Sequence, residues 1–273
     1  MTTLAYPVEK RYPRQLAAFE RSKKDEGTVS VYVSVKNEPA GLAAVIKALT
    51  SEGNSIIKQI SVQERGKVAG WAITGFLDMS KTINGTAELE RFLRRLGCVE
   101  ELIISQHKPL LHQVYLFPLM NGDERVVLFS VKRLLTVRAQ LEKILTAAGV
   151  SVIYYNLGLE NGKVFHQHFV EGMGAEQVQD AQKLDLFRDH FIASGFGIFD
   201  FQDLDLNQRH GLVKLYDSFE CEGIKKDRPA CYNMRGILTG FLQALWRIDK
   251  LKVVELKCMA IGDLNCEFAI GTE

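Results

Sequence analysis

Thr28-Val29-Ser30-Val31-Tyr32-Val33-Ser34-Val35 alternates branched apolar side chains with smaller or polar ones, the period of two that a half-buried strand requires. Pro39 suits a first helical position, Leu42, Val45, Ile46 and Leu49 recur at helical spacing, and Gly53 closes the segment, so a helix follows the strand. Two further extended stretches, Ser55 to Val62 and Val68 to Met79, flank Glu64-Arg65-Gly66-Lys67, a glycine-bearing turn that predicts an antiparallel hairpin. Leu89, Phe92, Leu93 and Leu96 then mark a second helix, and Cys98 to Ser105 a last strand. This β-α-β-β-α-β order, within about eighty residues, predicts a ferredoxin-like split βαβ domain over residues 28–106.

Outside that domain the patterning changes. Residues 1–27, with Pro7, Pro13 and the charged run from Arg21 to Glu26, read as an N-terminal arm. Residues 107–125, carrying His107, Pro109, Pro118 and Asn121-Gly122-Asp123, read as a linker with one short strand at Gln113 to Phe117. In residues 126–273, Leu134, Val137, Leu141, Ile144 and Leu145 describe a helix broken near Gly149, a second helical stretch runs through Tyr155, Leu159 and Phe165, and a third spans Val178 to Ser194. Gly195 to Phe201, Gly211 to Cys221, Leu251 to Cys258 and Cys266 to Ile270 read as extended, with a helix from Ala230 to Trp246 among them. The fold class is therefore α+β, with helices preceding strands in the second domain.

The chain has 273 residues, 34 basic and 33 acidic, for a formal net charge of +1. That length suits two domains of roughly 150 residues each. The balanced charge supplies no bulk field to gather nucleic acid or anionic lipid. No apolar run reaches the ~20 residues of a membrane helix, and Met1 to Pro7 lacks the basic and apolar regions of a secretory signal, so a soluble cytoplasmic protein is expected. There is no G-x-S-x-G elbow, P-loop, H-E-x-x-H or basic recognition helix, which argues against an enzyme and against direct DNA contact. The five cysteines are an odd number, and three of them, Cys231, Cys258 and Cys266, fall in the last 43 residues. In a reducing compartment that pattern points to metal or thiol chemistry.

Cys231, Glu255, Cys258 and Cys266, separated by 24, 3 and 8 positions, each carry a plausible zinc ligand. Side chains three apart on a regular strand face opposite sides, so Glu255 and Cys258 can share an ion only if the strand ends or bulges between them. Cys221 is the substitute that could supply a fourth thiolate in place of Glu255, while Cys98 reads as a core residue. The competing reading leaves the thiols free of metal, as small buried hydrophobes or as a redox switch. Tyr154, Phe165, Phe196, Phe201 and Phe241 are the natural aromatic lining of a small-molecule pocket. His166 and His168, two apart, would diverge on a helix.

Two resemblances add to this reading. Val33-Ser34-Val35-Lys36-Asn37-Glu38-Pro39-Ala40-Gly41-Leu42 resembles the ACT domain family, regulatory modules that commonly pair their sheets and bind amino acids near the first loop. The resemblance implies homodimerisation through this domain, or an amino acid held at Asn37, Glu38 and Gly41. Cys231 to Leu245, with Val254-Glu255-Leu256-Lys257-Cys258 and Gly262-Asp263-Leu264-Asn265-Cys266-Glu267-Phe268, resembles the 4-vinyl reductase domain family; Asn156 to Gly162 and Gly195-Phe196-Gly197 are similar to its earlier signatures, so the resemblance spans residues 110–273. It implies a small-molecule sensor domain with a structural zinc on Cys231, Glu255, Cys258 and Cys266. Where many members have Gly-Trp-Gly this chain has Phe196, which removes an indole N–H donor. The implied function is a ligand-sensing regulatory protein for a small lipophilic or aromatic effector, its output passing to a partner protein. An enzyme or accessory in tetrapyrrole vinyl reduction and an architectural tether are the alternatives.

Overall fold

A computed structural model describes residues 16, 19–21, 27–51, 56–66, 68–80, 82, 85–105, 110–122, 124–172 and 178–272. The chain divides into two compact units, residues 1–127 and 128–273. Most of the anticipated N-terminal arm lies outside the described residues.

The first unit contains β1 (Phe19–Arg21), β2 (Thr28–Val35), α1 (Pro39–Ser51), β3 (Ile56–Glu64), β4 (Trp71–Asp78), α2 (Gly85–Arg95), β5 (Val99–Ser105), β6 (Leu110–His112), β7 (Met120–Asn121) and β8 (Glu124–Arg125). Strands β3-β4-β2-β5 form one sheet in that order, every pair antiparallel, the arrangement of a split βαβ fold. Val29, Val31, Val33 and Val35 join Val45, Leu49, Leu89 and Leu93 of the two helices in one core. The other face of β2 is buried too, contrary to the half-buried expectation. Tyr115 lies against Tyr32 with ring centroids 5.3 Å apart, its hydroxyl shares a 2.7 Å hydrogen bond with Ser105, and Gln113 Nε2 donates to the Gly75 carbonyl at 2.8 Å. Residues 113–117 are irregular rather than a strand, because they are spent on these side-chain contacts; the short strand is β6, paired antiparallel with β1. Likewise β4 begins at Trp71, and not at Val68.

The second unit contains α3 (Val131–Leu145), α4 (Ala147–Phe165), a π-helical turn (His166–Glu171), α5 (Asp180–Ala193), β9 (Ile198–Asp200), β10 (Leu204–Asp205), β11 (His210–Tyr216), α6 (Tyr232–Trp246), β12 (Lys252–Lys257) and β13 (Cys266–Gly271). Strands β10-β11-β13-β12 form an antiparallel sheet, with β9 also paired to β11. The break after α3 falls at Thr146, held at φ 75° with its side chain accepting from Gly149 N, rather than at Gly149 itself. Ten of the fifteen residues of α6 are buried, which makes it the centre of the unit. It runs beside α4 at backbone contact: a Cβ added at Gly158 or Gly162 would overlap the carbonyls of Asn233 or Ile237, and one at Gly236 or Gly240 those of Tyr155 or Leu159. Glycines four apart on both helices put the missing side chains on one face of each. None of the described helices is long and apolar enough to cross a membrane.

Candidate functional site

Four separate segments of the second unit deliver one thiol each to a common point. After β11 the chain turns through Asp217, at φ 53°, into a single 3-10 turn, Phe219–Cys221. Cys231 follows Pro229 at the N-cap of α6. Cys258 directly follows β12, and the pairing of β12 with β13 shifts register between Glu255 and Lys257, the bulge that lets Glu255 and Cys258 both face inward. A 3-10 turn and Gly262, at φ 107°, then reverse the chain into Cys266 at the head of β13. The Cys258 N–H donates to Asp263 Oδ2 at 2.8 Å and fixes this reversal.

The sulfur of Cys221 lies 3.2 Å from Cys231, 3.6 Å from Cys258 and 3.7 Å from Cys266, and Cys231 lies 3.3 Å from Cys266. All four are buried, with their sulfurs within 4.8 Å of one another, so the group could hold a metal ion. An ion bonded tetrahedrally at about 2.3 Å would set the sulfurs about 3.8 Å apart, close to what is seen. Hydrogen bonds from the other three thiols hold Cys221 well below the ordinary thiol value, and the reciprocal contact with Cys221 pushes Cys231 well above it. Several like charges cannot share a buried site, so four thiolates together would need a cation among them.

Cys221 supplies the fourth sulfur of this group, where the sequence reading placed Glu255. Glu255 stands beside the set: its Oε2 accepts from the Cys231 N–H at 3.1 Å, and its Oε1 is buried without a hydrogen-bond partner. Burial, then the neighbouring Cys258, pushes its carboxyl up to about 8. Sequence spacing ranks Cys221 lower because it sits on a tight turn whose position no spacing rule reveals. That turn carries more than the sulfur. Glu220, fully buried, accepts from the Met234 N–H at 2.8 Å and so caps α6, whose Cys231 cap supplies no side-chain bond. Burial pushes Glu220 up to about 7. Arg138 of α3, 3% exposed, donates from Nη1 to Glu220 Oε1 at 3.2 Å and to the Ala230 carbonyl at 3.0 Å, and lies over the Tyr232 ring at 4.7 Å. One guanidinium therefore ties together the residues preceding Cys221 and Cys231. Glu142, four residues on from Arg138 and also bonded to Lys226 at 2.7 Å, completes the network.

Phe219, first residue of the same turn, leads to the aromatic side chains. Its N–H donates to the Phe196 carbonyl at 3.0 Å and its ring meets Phe196 at 5.2 Å. Phe196 meets Phe191 at 5.3 Å, Phe165 meets Phe241 at 5.8 Å, and Phe187 touches both Phe241, at 4.3 Å, and Phe201, at 5.9 Å. Four of the five anticipated pocket residues thus belong to one cluster. Tyr154 does not: its ring lies 5.6 Å from Arg138, with the network at the head of α6. His166 and His168 fall in the π-helical turn, His166 against Phe241 at 5.9 Å, and His190 meets Phe165 at 4.8 Å. In the first unit, Asn37 and Glu38 are exposed before α1, whereas Gly41 is buried where a Cβ would collide with Cys98. Close packing accounts for that glycine.

The family model of the vinyl-4-reductase domain matches residues 212–272, the stretch that carries all four clustered cysteines. The match over these residues agrees with the 4-vinyl reductase resemblance of the sequence. No curated protein matches the chain. Among solved structures it is similar to the phenol-responsive sensory domain of the transcription activator PoxR, determined with phenol: 22% identity, 55% of this chain and 78% of that one covered, TM-score 0.49. A vinyl-4-reductase family protein from Methanocaldococcus jannaschii shows 19% identity over 52% of this chain and 78% of its own, TM-score 0.34. A trafficking protein particle complex subunit 3 from Naegleria fowleri, covalently bound to palmitic acid, shows 11% identity over 52% and 95%, TM-score 0.40.

Proposed function

We propose that the chain is a ligand-sensing regulatory protein. Its second unit binds a small lipophilic or aromatic effector among Phe165, Phe196, Phe201 and Phe241, beside a structural zinc on Cys221, Cys231, Cys258 and Cys266. The first unit pairs two copies, or binds an amino acid at Asn37 and Glu38, and output passes to a partner protein. The observation that carries this reading is the turn Phe219–Cys221, which joins the aromatic cluster to the thiol group within three residues of a vinyl-4-reductase domain. Four thiolates would close the zinc's coordination and leave no position for a reacting water, so the ion would brace the fold and not catalyse. The aromatic rings supply apolar area for a ligand, and His166 and His190 stand among them as polar contacts for a hydroxyl or carboxylate.

Elemental analysis and native mass spectrometry of untagged protein test both halves of the proposal. The expected result is close to one zinc per chain, lost in Cys258→Ser together with the cooperative unfolding of the second unit. A panel of phenols, alkylbenzenes and fatty acids should contain a member that raises the melting temperature of the wild type and not of Phe196→Ala. Metal-free protein whose thiols form disulfides would overturn the zinc, and a co-purifying chlorin would move the reading to tetrapyrrole chemistry.

A further inference from the structure

The four thiols owe their places to two different parts of the second unit. Cys258 directly follows β12 and Cys266 heads β13, its antiparallel neighbour, so the sheet and the Cys258 N–H bond to Asp263 fix that pair. Cys221 and Cys231 lie outside the sheet, at the two ends of an irregular stretch in which Glu222, Gly223, Lys225, Asp227 and Arg228 are exposed. One backbone bond, from the Lys226 N–H to the Ala260 carbonyl at 2.9 Å, ties this stretch toward β13. From the other side α3 grips it at three points. Arg138 Nη1 donates to Glu220 Oε1 at 3.2 Å, one residue before Cys221, and to the Ala230 carbonyl at 3.0 Å, one residue before Cys231. Glu142, one turn along α3 and bonded to Arg138 Nε at 3.3 Å, takes Lys226 Nζ at 2.7 Å in the middle of the stretch.

A buried guanidinium is a poor choice if stability is all that is needed. Arg138 Nη2 is buried and finds no hydrogen-bond partner among the described residues, and apolar replacement of a whole buried ion pair is often neutral or stabilising. An apolar side chain, however, cannot hold two chain segments at a set separation by directed bonds, whereas the rigid fork of an arginine can. We infer that Arg138 is a positioning residue of the thiol site: it sets Cys221 against Cys231, 3.2 Å apart at sulfur, so that the two thiols outside the sheet already stand where a cation shared with Cys258 and Cys266 needs them. That role rests on the reading that the four thiols take a metal. Groups outside the ligand set act on metal affinity through such placement, and removing one costs roughly 10- to 100-fold. The coupling is reciprocal: a helix that tightens the site is itself held more firmly once the ion is bound.

Cobalt(II) titration of the reduced full chain tests it, because sulfur-to-cobalt charge transfer reports the thiolates and the d–d bands report a tetrahedral site. The variant is Arg138→Met/Glu220→Gln, which removes the clamp without stranding a charge. Its denaturation midpoint should stay near that of the wild type while its cobalt dissociation constant rises roughly 10- to 100-fold, with the same four-thiolate spectrum at saturation. Cobalt should slow amide exchange in α3 of the wild type and not of the double variant. Gly240→Ala, which strains the same unit about 13 Å along α6 from Cys231, should leave the constant within about threefold. Arg138→Lys keeps the charge without the fork and should fall between wild type and double variant; if the double variant does not fold, Arg138→Lys with wild-type affinity would overturn the inference. A folded double variant that binds cobalt like the wild type would do the same. So would an equal loss in Gly240→Ala, since affinity would then follow overall stability. A wild type that takes no cobalt on its thiols would overturn both this role and the zinc, whereas elemental analysis of the purified protein bears on the zinc of the proposed function alone.

Discussion

The strand β2 and the helix α6 hold the same post in their two units, at the centre and shut away from water, but they are closed in by different means. β2 buries valines on one face and Thr28, Ser30, Tyr32 and Ser34 on the other, with ladder bonds to β4 and β5 satisfying its backbone. A strand reaches this state readily, because its neighbours pair with it through hydrogen bonds and leave both faces for side chains. α6 satisfies its own backbone and must be covered by side chains and by a second helix. Two solutions meet along its length: glycines bring α4 into backbone contact over its middle, and at its N-terminus Glu220 and Glu255 take up orphan N–H groups. A central helix can therefore carry buried charge at its end. A central strand has no such end.

The contrast sharpens or fails under substitution. The largest effect should come from Arg138→Met, which strands a buried carboxylate at the head of α6 and should cost the second unit about 3–5 kcal/mol. Adding Glu220→Gln, which keeps an acceptor for Met234 without the charge, should restore most of it. Trp71 and Trp246, one per unit, let the two unfolding transitions be followed separately by fluorescence in single-tryptophan variants. If the double variant were no more stable than Arg138→Met, the arginine would matter for packing on Tyr232 and not for charge.

Next in size is Gly240→Ala. Alanine outdoes glycine in helix propensity by roughly 1 kcal/mol, yet here its methyl would meet the Leu159 carbonyl, and a net loss of about 2–3 kcal/mol is expected in a denaturant titration. A gain instead would mean that α4 can slide away, and that the closeness of the two helices is incidental. The smallest change should be Ser30→Ala on β2. Ser30 Oγ is buried without a partner, so its removal should raise the stability of the first unit by up to about 1 kcal/mol, read from the midpoint of its denaturant transition. A cost of that size would show that the outer face of β2 is held by polar contacts and resembles the head of α6 after all.

How much of this was legible follows the same division. The order of elements in the first unit could be read from Thr28 to Ser105 because each strand and helix declares its period locally. The outer cover of β2 could not, since Gln113 and Tyr115 act through single side chains on residues far away in sequence. In the second unit the helices and three of the four thiols were legible. Cys221 ranked behind Glu255 because spacing along β12 speaks for Glu255, while nothing local says that Asp217 turns the chain back toward α6. Glycine pairs at 158 and 162 and at 236 and 240 were the readable sign of the helix contact, each pair four apart on an otherwise good helix.

The sequence by itself determined the α+β class, the split βαβ order, the central helix from Tyr232 and the concentration of thiol chemistry near the C-terminus. These rest on periodicity, on turn residues and on residue type, which act over a few positions. Only the tertiary structure decided that Cys221 joins Cys231, Cys258 and Cys266, that Arg138 is the buried residue of α3, and that Tyr154 stands apart from the phenylalanines. Those outcomes depend on where segments 10 to 92 residues apart meet, and such meetings are set by the packing of whole elements rather than by any local preference.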